Sequence, residues 1–446
     1  RVWDELGIRG EGAVIGSLDT GVDGNHPAIA SRWRGNFADP SECWLDNSGQ
    51  GSPSFPVDYH WVGHGTHVMG TITGLAPDDT IGVAPGALWI AANTIDQGVS
   101  TEFDNDVLQS LEWFADPDGD PGTSDDVPCV AQNSWGVYEG LDYPDCFSYW
   151  WTAMDNCEAA GCVLTWSAGN EGPGQASLRS PADRADTPYN AFSVGSTQNY
   201  APYTISDFSS RGPSNCGGPY AMKPEVCAPG SNIYSAEPGG GYQSLDGTSM
   251  AGPHVAGVVA LMCAANPDLD HETVKQVLME TAVDLGTAGE DNTYGHGFID
   301  AYEAVLSVMG GLGTVGGTVT DTDTGLPIEG VQIGVVDRPV NRTTGPDGTF
   351  EFMLPVGQWT LTLEAFGYGD EQLIVDVIEN QTVDGSVAMT ALPTAVLSGL
   401  VYDYEGLLVT GATIEALDTP LDPVYSDGSG HYSIEMPAGD VYEVVA

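Results

Sequence analysis

The chain has 446 residues, with 63 Asp and Glu against 11 Lys and Arg and a formal net charge of −52. This length exceeds one ordinary core and predicts two or more domains. The acidity, spread along the whole chain, disfavours nucleic acid and anionic membranes as partners and fits a solubility adaptation to salty or calcium-containing surroundings. No run of about 18 uncharged apolar residues predicts a membrane span, and Arg1-Val2-Trp3-Asp4 does not have the pattern of a secretion signal.

In chain order, Ala13-Val14-Ile15-Gly16-Ser17-Leu18 is a short apolar run, as expected of a strand covered on both faces. It ends in Asp19-Thr20-Gly21, and open α/β sheets place their ligands at the carboxyl ends of their strands. Gly63-His64-Gly65-Thr66-His67 then opens a run of small and apolar residues suited to a close-packed helix. His64 and His67 lack the Glu of a zinc H-E-x-x-H motif and have no third ligand at a suggestive spacing. His64 therefore reads as a general base and His67 as a support of the loop. Cys129–Gly136 and Cys162–Gly172 each read as a strand running into a glycine-bearing loop. Asn170, after a glycine, suits either a turn or an amide donor aimed at a developing oxyanion.

Ser249 stands where the polar loop Leu245-Asp246-Gly247-Thr248 turns into a run continuing to Met262 with no polar face, which predicts a buried helix. Pro253 fits only near a helix start. This puts Ser249 at a helix N-terminus, as a cap or as a nucleophile.

The aspartates Asp116, Asp118 and Asp120, followed by Asp125 and Asp126, resemble the start of a calcium loop, where hard oxygens at alternate positions wrap one ion. Val127 stands where an EF-hand needs Glu, so further ligands must come from elsewhere; a solvated acidic loop is the alternative. The eight cysteines all precede residue 264 and form no C-x-x-C pair, which predicts disulfides and an oxidising, extracellular compartment. Cys146–Cys157 and Cys216–Cys227 close short loops and are the expected bridges, and Cys263 suits a small core hydrophobe.

Beyond Met309 the character changes to strand-length alternating runs with Gly- and Asp-rich turns. Gly317-Thr318-Val319 aligns with Gly399-Leu400-Val401 and Gly348–Gly357 with Gly430–Gly439, both 82 residues apart. The expected divisions are 1–308, a linker 309–313, a first β-sandwich 314–392 and a second, incomplete one 393–446, whose shortness predicts that the natural chain continues.

Taken together, Asp19-Thr20-Gly21, His64-Gly65-Thr66-His67 and Gly247-Thr248-Ser249-Met250-Ala251 resemble, in order, the catalytic signatures of the subtilisin-like serine proteases. Ser167-Ala168-Gly169-Asn170 resembles that family's oxyanion segment. The Asp-rich insertion and Asn133-Ser134-Trp135-Gly136 are similar to its bacillopeptidase F branch. The resemblance implies a central parallel sheet flanked by helices and an Asp19–His64–Ser249 triad with Asn170 as oxyanion donor. Ser134-Trp135-Gly136 and Ser167-Ala168-Gly169 would then be the edges that pair with a protein or peptide substrate, and Glu171 would lie near the pocket and favour basic residues. It implies structural calcium and no catalytic cofactor. A lipase would need Gly at 251, which is Ala, and the order Ser, acid, His. The pattern G-x-V-x-D…G-x-F-x-F…P-x-G resembles the carboxypeptidase-regulatory-like (transthyretin-like) domain, which implies all-β modules for spacing, cell-surface or matrix anchoring, or substrate binding. The rival reading is a structural or adhesive protein built on an inactive protease scaffold.

Overall fold

The computed structural model describes residues 1–49, 54–76, 80–336, 338–417, 419–438 and 441–446. They fall into two units, Arg1–Met309 and Gly310–Ala446. In the first, a short helix α1 (Val2–Glu5) precedes β1 (Val14–Asp19), β2 (Trp44–Asp46), α2 (His64–Thr73), β3 (Leu88–Asn93) and α3 (Thr101–Ala115). Then come β4 (Val130–Asn133), α4 (Trp151–Ala159), β5 (Val163–Ser167), β6 (Phe192–Gln198) and β7 (Val226–Ser231). A hairpin of β8 (Ile233–Glu237) and β9 (Gly241–Leu245) leads into α5 (Thr248–Ala265), α6 (His271–Glu280) and α7 (Ala301–Val308).

Strands β1 to β7 form one sheet in the order β2-β3-β1-β4-β5-β6-β7, parallel throughout. Parallel sheets are covered on both faces, so their strands read as apolar runs without alternation; Ile15 and Leu18 of β1 and Val130 and Ala131 of β4 are fully buried. Helix α3 turns Phe103, Val107, Leu111 and Phe114 to the core at helical spacing, and Ser100 caps it by accepting from the Glu102 and Phe103 N–H groups.

Helix α5 is long and apolar enough by composition to cross a membrane, but here it is a core helix, buried over most of its length. Its small residues permit the close fit. A Cβ at Gly252 would lie 2.2 Å from the Gln132 side-chain amide, and one at Gly257 would lie 2.5 Å from Val83.

The chain's two lysines are both buried inside this unit: Lys223 pairs with Glu225, and Lys275 with Glu158 and the Tyr189 carbonyl. Buried charges persist only when paired in this way.

The cysteines depart from expectation. One bridge forms, Cys146–Cys216, with Cα atoms 5.5 Å apart. The expected Cys146–Cys157 and Cys216–Cys227 bridges are absent because Cys157 is buried in α4 and Cys227 in β7. Cys146 and Cys216 instead meet in surface loops, which the Asn215–Asp145 side-chain bond of 2.7 Å also joins. Cys43, Cys129, Cys157, Cys162, Cys227 and Cys263 are free thiols, and Cys263 is only half-buried.

The second unit is all-β. In its first copy, Leu312–Asp321 pairs with Thr349–Pro355, and Gln332–Val335 with Gly357–Glu364, around a core including Val315, Val319, Ile333, Leu361 and Leu363. The linker is shorter than expected, since Leu312 and Gly313 already belong to the first strand. The internal repeat is real in three dimensions: Gly317 pairs with Phe350 and Gly399 with Tyr432, the same register one repeat later.

Candidate active site

The carboxyl edge of the sheet collects the motif residues. Asp19 ends β1 and is 2 % exposed; its Oδ1 accepts from His64 Nδ1 at 2.7 Å and from the Thr20 N–H at 2.7 Å. His64 opens α2, and that end of the helix is pinned to β1. A Cβ at Gly65 would lie 2.0 Å from the Gly21 carbonyl, the Gly65 N–H donates to Thr20 Oγ1 at 2.9 Å, and Gly63, preceding the helix, has φ +66°. Burial disfavours the charged His64 ring, but the adjoining Asp19 carboxylate outweighs it and raises the ring's pKa above the ordinary histidine value. His67 is fully buried, bonded through Nε2 to the Ile233 carbonyl at 2.9 Å, and burial drives its pKa down to about 4. It is a neutral structural ring, as the sequence predicts.

Ser249 is the second residue of α5, where backbone N–H groups lack intrahelical acceptors. Pro253 lies deeper than a first-turn proline, at the sixth helical position. Its missing N–H orphans the Ser249 carbonyl, and the Ser134 hydroxyl replaces that donor at 2.9 Å. In return Ser249 Oγ donates to the Ser134 carbonyl at 3.0 Å. Leu18 lies opposite Asn133 across the β1–β4 pair, so Ser134 and Asp19 occupy neighbouring strand ends, about 5 Å apart. His64 is thus tethered to one strand end and Ser249 to the next. The Ser249 hydroxyl rests on the Ser134 carbonyl.

Beside it, Asn170 Oδ1 accepts from the Thr248 N–H and hydroxyl, both at 2.9 Å. Its Nδ2 is thereby turned to the open side. A Cβ at Gly247 would lie 3.6 Å from that Nδ2 and 3.5 Å from the Ser249 backbone nitrogen. Two donors therefore flank one small space, which a side chain at position 247 would invade.

The two predicted substrate edges differ. Trp135 and Gly136 make no backbone hydrogen bonds among the described residues, so this edge is open. The Trp135 ring itself is buried, edge-on to Phe103, Trp150 and Trp166. Ser167-Ala168-Gly169 is a wall and not an open edge. Ala168 N–H donates to Val194 and its carbonyl accepts from Arg179 N, while the Gly169 carbonyl accepts from Ser210 N. Gly169 has φ +115°, which glycine alone tolerates readily.

Between Gly136 and Gly169 lies a residue that motif reading missed. A Cβ at Gly136 would lie 2.8 Å from Arg179 Cβ, and one at Gly169 3.0 Å from Arg179 Cγ. The Arg179 guanidinium grips Glu171 with two donors, one at 2.7 Å to Oε2, and lies 4.6 Å from the Tyr138 ring centre. Glu171 Oε2 also accepts from the Asn170 N–H at 3.0 Å. Glu171 thus lies beside Gly169 and Asn170, with its charge already answered by Arg179, which leaves no free carboxylate to favour basic residues.

Asp58 is the other missed residue. It accepts from the Thr66 N–H and hydroxyl and from the His60 N–H, closing the N-terminus of α2. Burial pushes its pKa up to about 6. It precedes His64 in a stretch of mixed character, and no spacing rule singles it out.

Of the five predicted metal ligands, Asp116, Asp118 and Asp126 come together, with one oxygen of each within 4.8 Å of the others. Asp120 and Asp125 stand apart: Asp120 Oδ1 accepts from the Gly122 N–H to hold its own turn, and Asp125 points to solvent.

A seven-stranded parallel sheet with aspartate at a strand end, histidine at one helix start and serine at the start of a buried helix is the architecture of the subtilisin-like serine peptidases. The chain belongs to that family: residues 10–297 match the subtilase family, and residues 314–390 match the carboxypeptidase regulatory-like domain. It is 40 % identical over 346 residues to bacillopeptidase F of Bacillus subtilis (strain 168), covering 72 % of this chain and 22 % of that protein. It is 32 % identical over 300 residues to subtilisin Savinase of Lederbergia lenta, covering 67 % and 92 % respectively. Among solved structures, the S41 psychrophilic protease matches with TM-score 0.53 and 28 % identity, over 65 % of this chain and 92 % of that one. Sphericase matches with TM-score 0.52 and 30 % identity, over 65 % and 91 %. The chain thus spans only about a fifth of the length of bacillopeptidase F.

Proposed function

We propose that this chain is a secreted serine endopeptidase that cuts proteins through an acyl-enzyme formed on Ser249. The observation that carries the reading is the 2.7 Å His64–Asp19 bond at the strand end next to the one that holds Ser249. His64 Nδ1, bound to Asp19, leaves Nε2 as the base that takes the Ser249 proton as Oγ attacks the scissile carbonyl. The same nitrogen returns the proton to the leaving amine, and water then repeats the sequence to release the acyl group. Asp19 fixes the tautomer and stabilises the imidazolium. The oxyanion forms against Asn170 Nδ2 and the Ser249 N–H. Substrate backbone pairs with the open Trp135-Gly136 edge, a β-augmentation mode.

The residue preceding the cut enters between Gly136 and Gly169, where the Arg179 stem and its ion pair with Glu171 shorten and neutralise the pocket. This arrangement favours small side chains over long basic ones. The Cys146–Cys216 bridge supports an oxidising, extracellular setting. The high negative charge argues against nucleic-acid partners. The β-repeats contribute spacing, anchoring to a cell surface or matrix, or substrate binding.

Labelling with a serine-directed fluorophosphonate tests the reading. Label and peptide hydrolysis should both be lost in Ser249→Ala, with hydrolysis falling by several orders of magnitude while the fold stays intact. Hydrolysis that survives in that variant removes the mechanism.

A further inference from the structure

The loop between α3 and β4 holds more negative charge than its own hydrogen bonds account for. Asp116 ends α3, where the helix dipole is negative and cations are favoured. Asp118 Oδ1 accepts from the Asp120 N–H at 2.7 Å and Oδ2 from the Thr123 hydroxyl at 2.9 Å, so this carboxylate is oriented by its own turn. Asp126 is 2 % exposed. Its Oδ2 accepts from the Asp118 N–H at 2.8 Å, while its Oδ1 is buried and has no hydrogen-bond partner among the described residues.

An unpartnered buried carboxylate oxygen is costly to leave unsatisfied. The residue that bears it adjoins two further carboxylates, with one oxygen from each of Asp116, Asp118 and Asp126 within 4.8 Å of the others. Arg34, whose charge reaches Asp118, is committed to Glu42 at 3.2 Å.

We propose that Asp116, Asp118 and Asp126 hold one calcium ion that ties the end of α3 to the approach of β4. The donor set is all hard oxygen, and an irregular loop with room for main-chain carbonyls and water suits calcium's six to eight ligands better than magnesium's strict octahedron. Metal–oxygen bonds of about 2.3–2.6 Å allow oxygens on opposite sides of one ion to be about 5 Å apart, so the observed grouping fits a single shell. Strand β4 runs from this loop to Asn133 and so to the Ser134-Trp135-Gly136 edge. The ion would therefore stabilise the root of the strand that presents the substrate edge, with no part in acyl transfer.

The test uses the full chain as Ser249→Ala, so that neither self-digestion nor the catalytic reading enters the result. The metal-stripped protein is titrated with terbium and with calcium in 150 mM salt and excess magnesium, which suppresses diffuse binding to the acidic surface. Tryptophan-sensitised luminescence and thermal melting are the readouts. The expected result is one saturable component displaced by calcium, with Tm raised by about 5 °C near a hundred-fold excess over Kd. Adding Asp126→Asn should weaken that component at least tenfold and abolish the rise in Tm. Asp116→Asn, at the partly exposed rim, should weaken it in the same direction, and it decides the matter if the Asp126 variant does not fold. An unchanged component in Asp116→Asn, a calcium-dependent rise in Tm that survives in folded Asp126→Asn, no rise in the parent, or an equal rise with magnesium alone would each overturn the proposal.

Discussion

The Arg179–Glu171 pair makes a prediction about cleavage preference that can be given a size. The Arg179 stem lies between Gly136 and Gly169, and its head is bound to Glu171. Replacing Arg179 by Ala removes everything beyond Cβ, deepens the pocket and leaves the Glu171 carboxylate facing it. A lysine or arginine before the scissile bond could then form the charge-assisted bond that Arg179 now makes. Such bonds contribute about 1.5–3 kcal/mol. The Glu171 side chain is 29 % exposed, so solvent screening favours the lower end, or about a tenfold gain in kcat/KM for basic substrates.

Combining Arg179→Ala with Glu171→Gln removes that charge and leaves a deep neutral pocket. Burial of a phenylalanine side chain, about 1.5–3 kcal/mol, should then favour aromatic substrates by about ten- to a hundred-fold over the parent. Measuring kcat/KM on a fluorogenic peptide series differing only in the residue before the cut (Ala, Leu, Phe, Lys, Glu) reads both effects. The parent should prefer Ala. A single-variant profile that runs parallel to the parent's across the series, in a folded protein, would show that Arg179 does not bound this pocket.

Asn170→Ala should lower kcat by about 10²–10³-fold with little change in KM, because its amide acts on charge that exists only in the transition state; a KM effect alone would refute the assignment. The pH profile follows from the raised pKa of His64. The ring must be neutral to accept the Ser249 proton, so kcat/KM should rise with pH and reach half its limit above the ordinary histidine value of about 6.5. In Asp19→Asn that midpoint should move down as the rate drops about 10⁴-fold; a midpoint that stays in place would mean Asp19 does not set the protonation of His64.

Much of the site was legible because its chemistry is carried by local segments. A strand end, a helix start and a helix N-terminus each leave their own pattern in consecutive residues, which singled out Asp19, His64, Asn170 and Ser249 as candidates; only the resemblance to the subtilisin-like proteases favoured a nucleophile over a cap at Ser249 and an oxyanion donor over a turn at Asn170. The two histidines part in space: His64 Nδ1 bonds to Asp19, and His67 is buried against a carbonyl. The repeat at 82 residues was equally visible, since each copy reuses the same strand register.

Contacts between distant segments left no such trace. Eight cysteines allow 105 pairings, and only packing chose Cys146 with Cys216, because Cys157 and Cys227 are committed to the interior of α4 and β7. Arg179 is an ordinary loop arginine until the fold inserts its stem between two glycines. The two lysines look like surface charges in composition and are core struts in space. The sequence by itself determined which groups are candidates for reaction, because catalytic chemistry depends on residue type and on the local backbone that holds it. Tertiary structure alone decided what surrounds those groups, because burial and charge pairing join residues far apart in the chain, whose meeting no local pattern encodes.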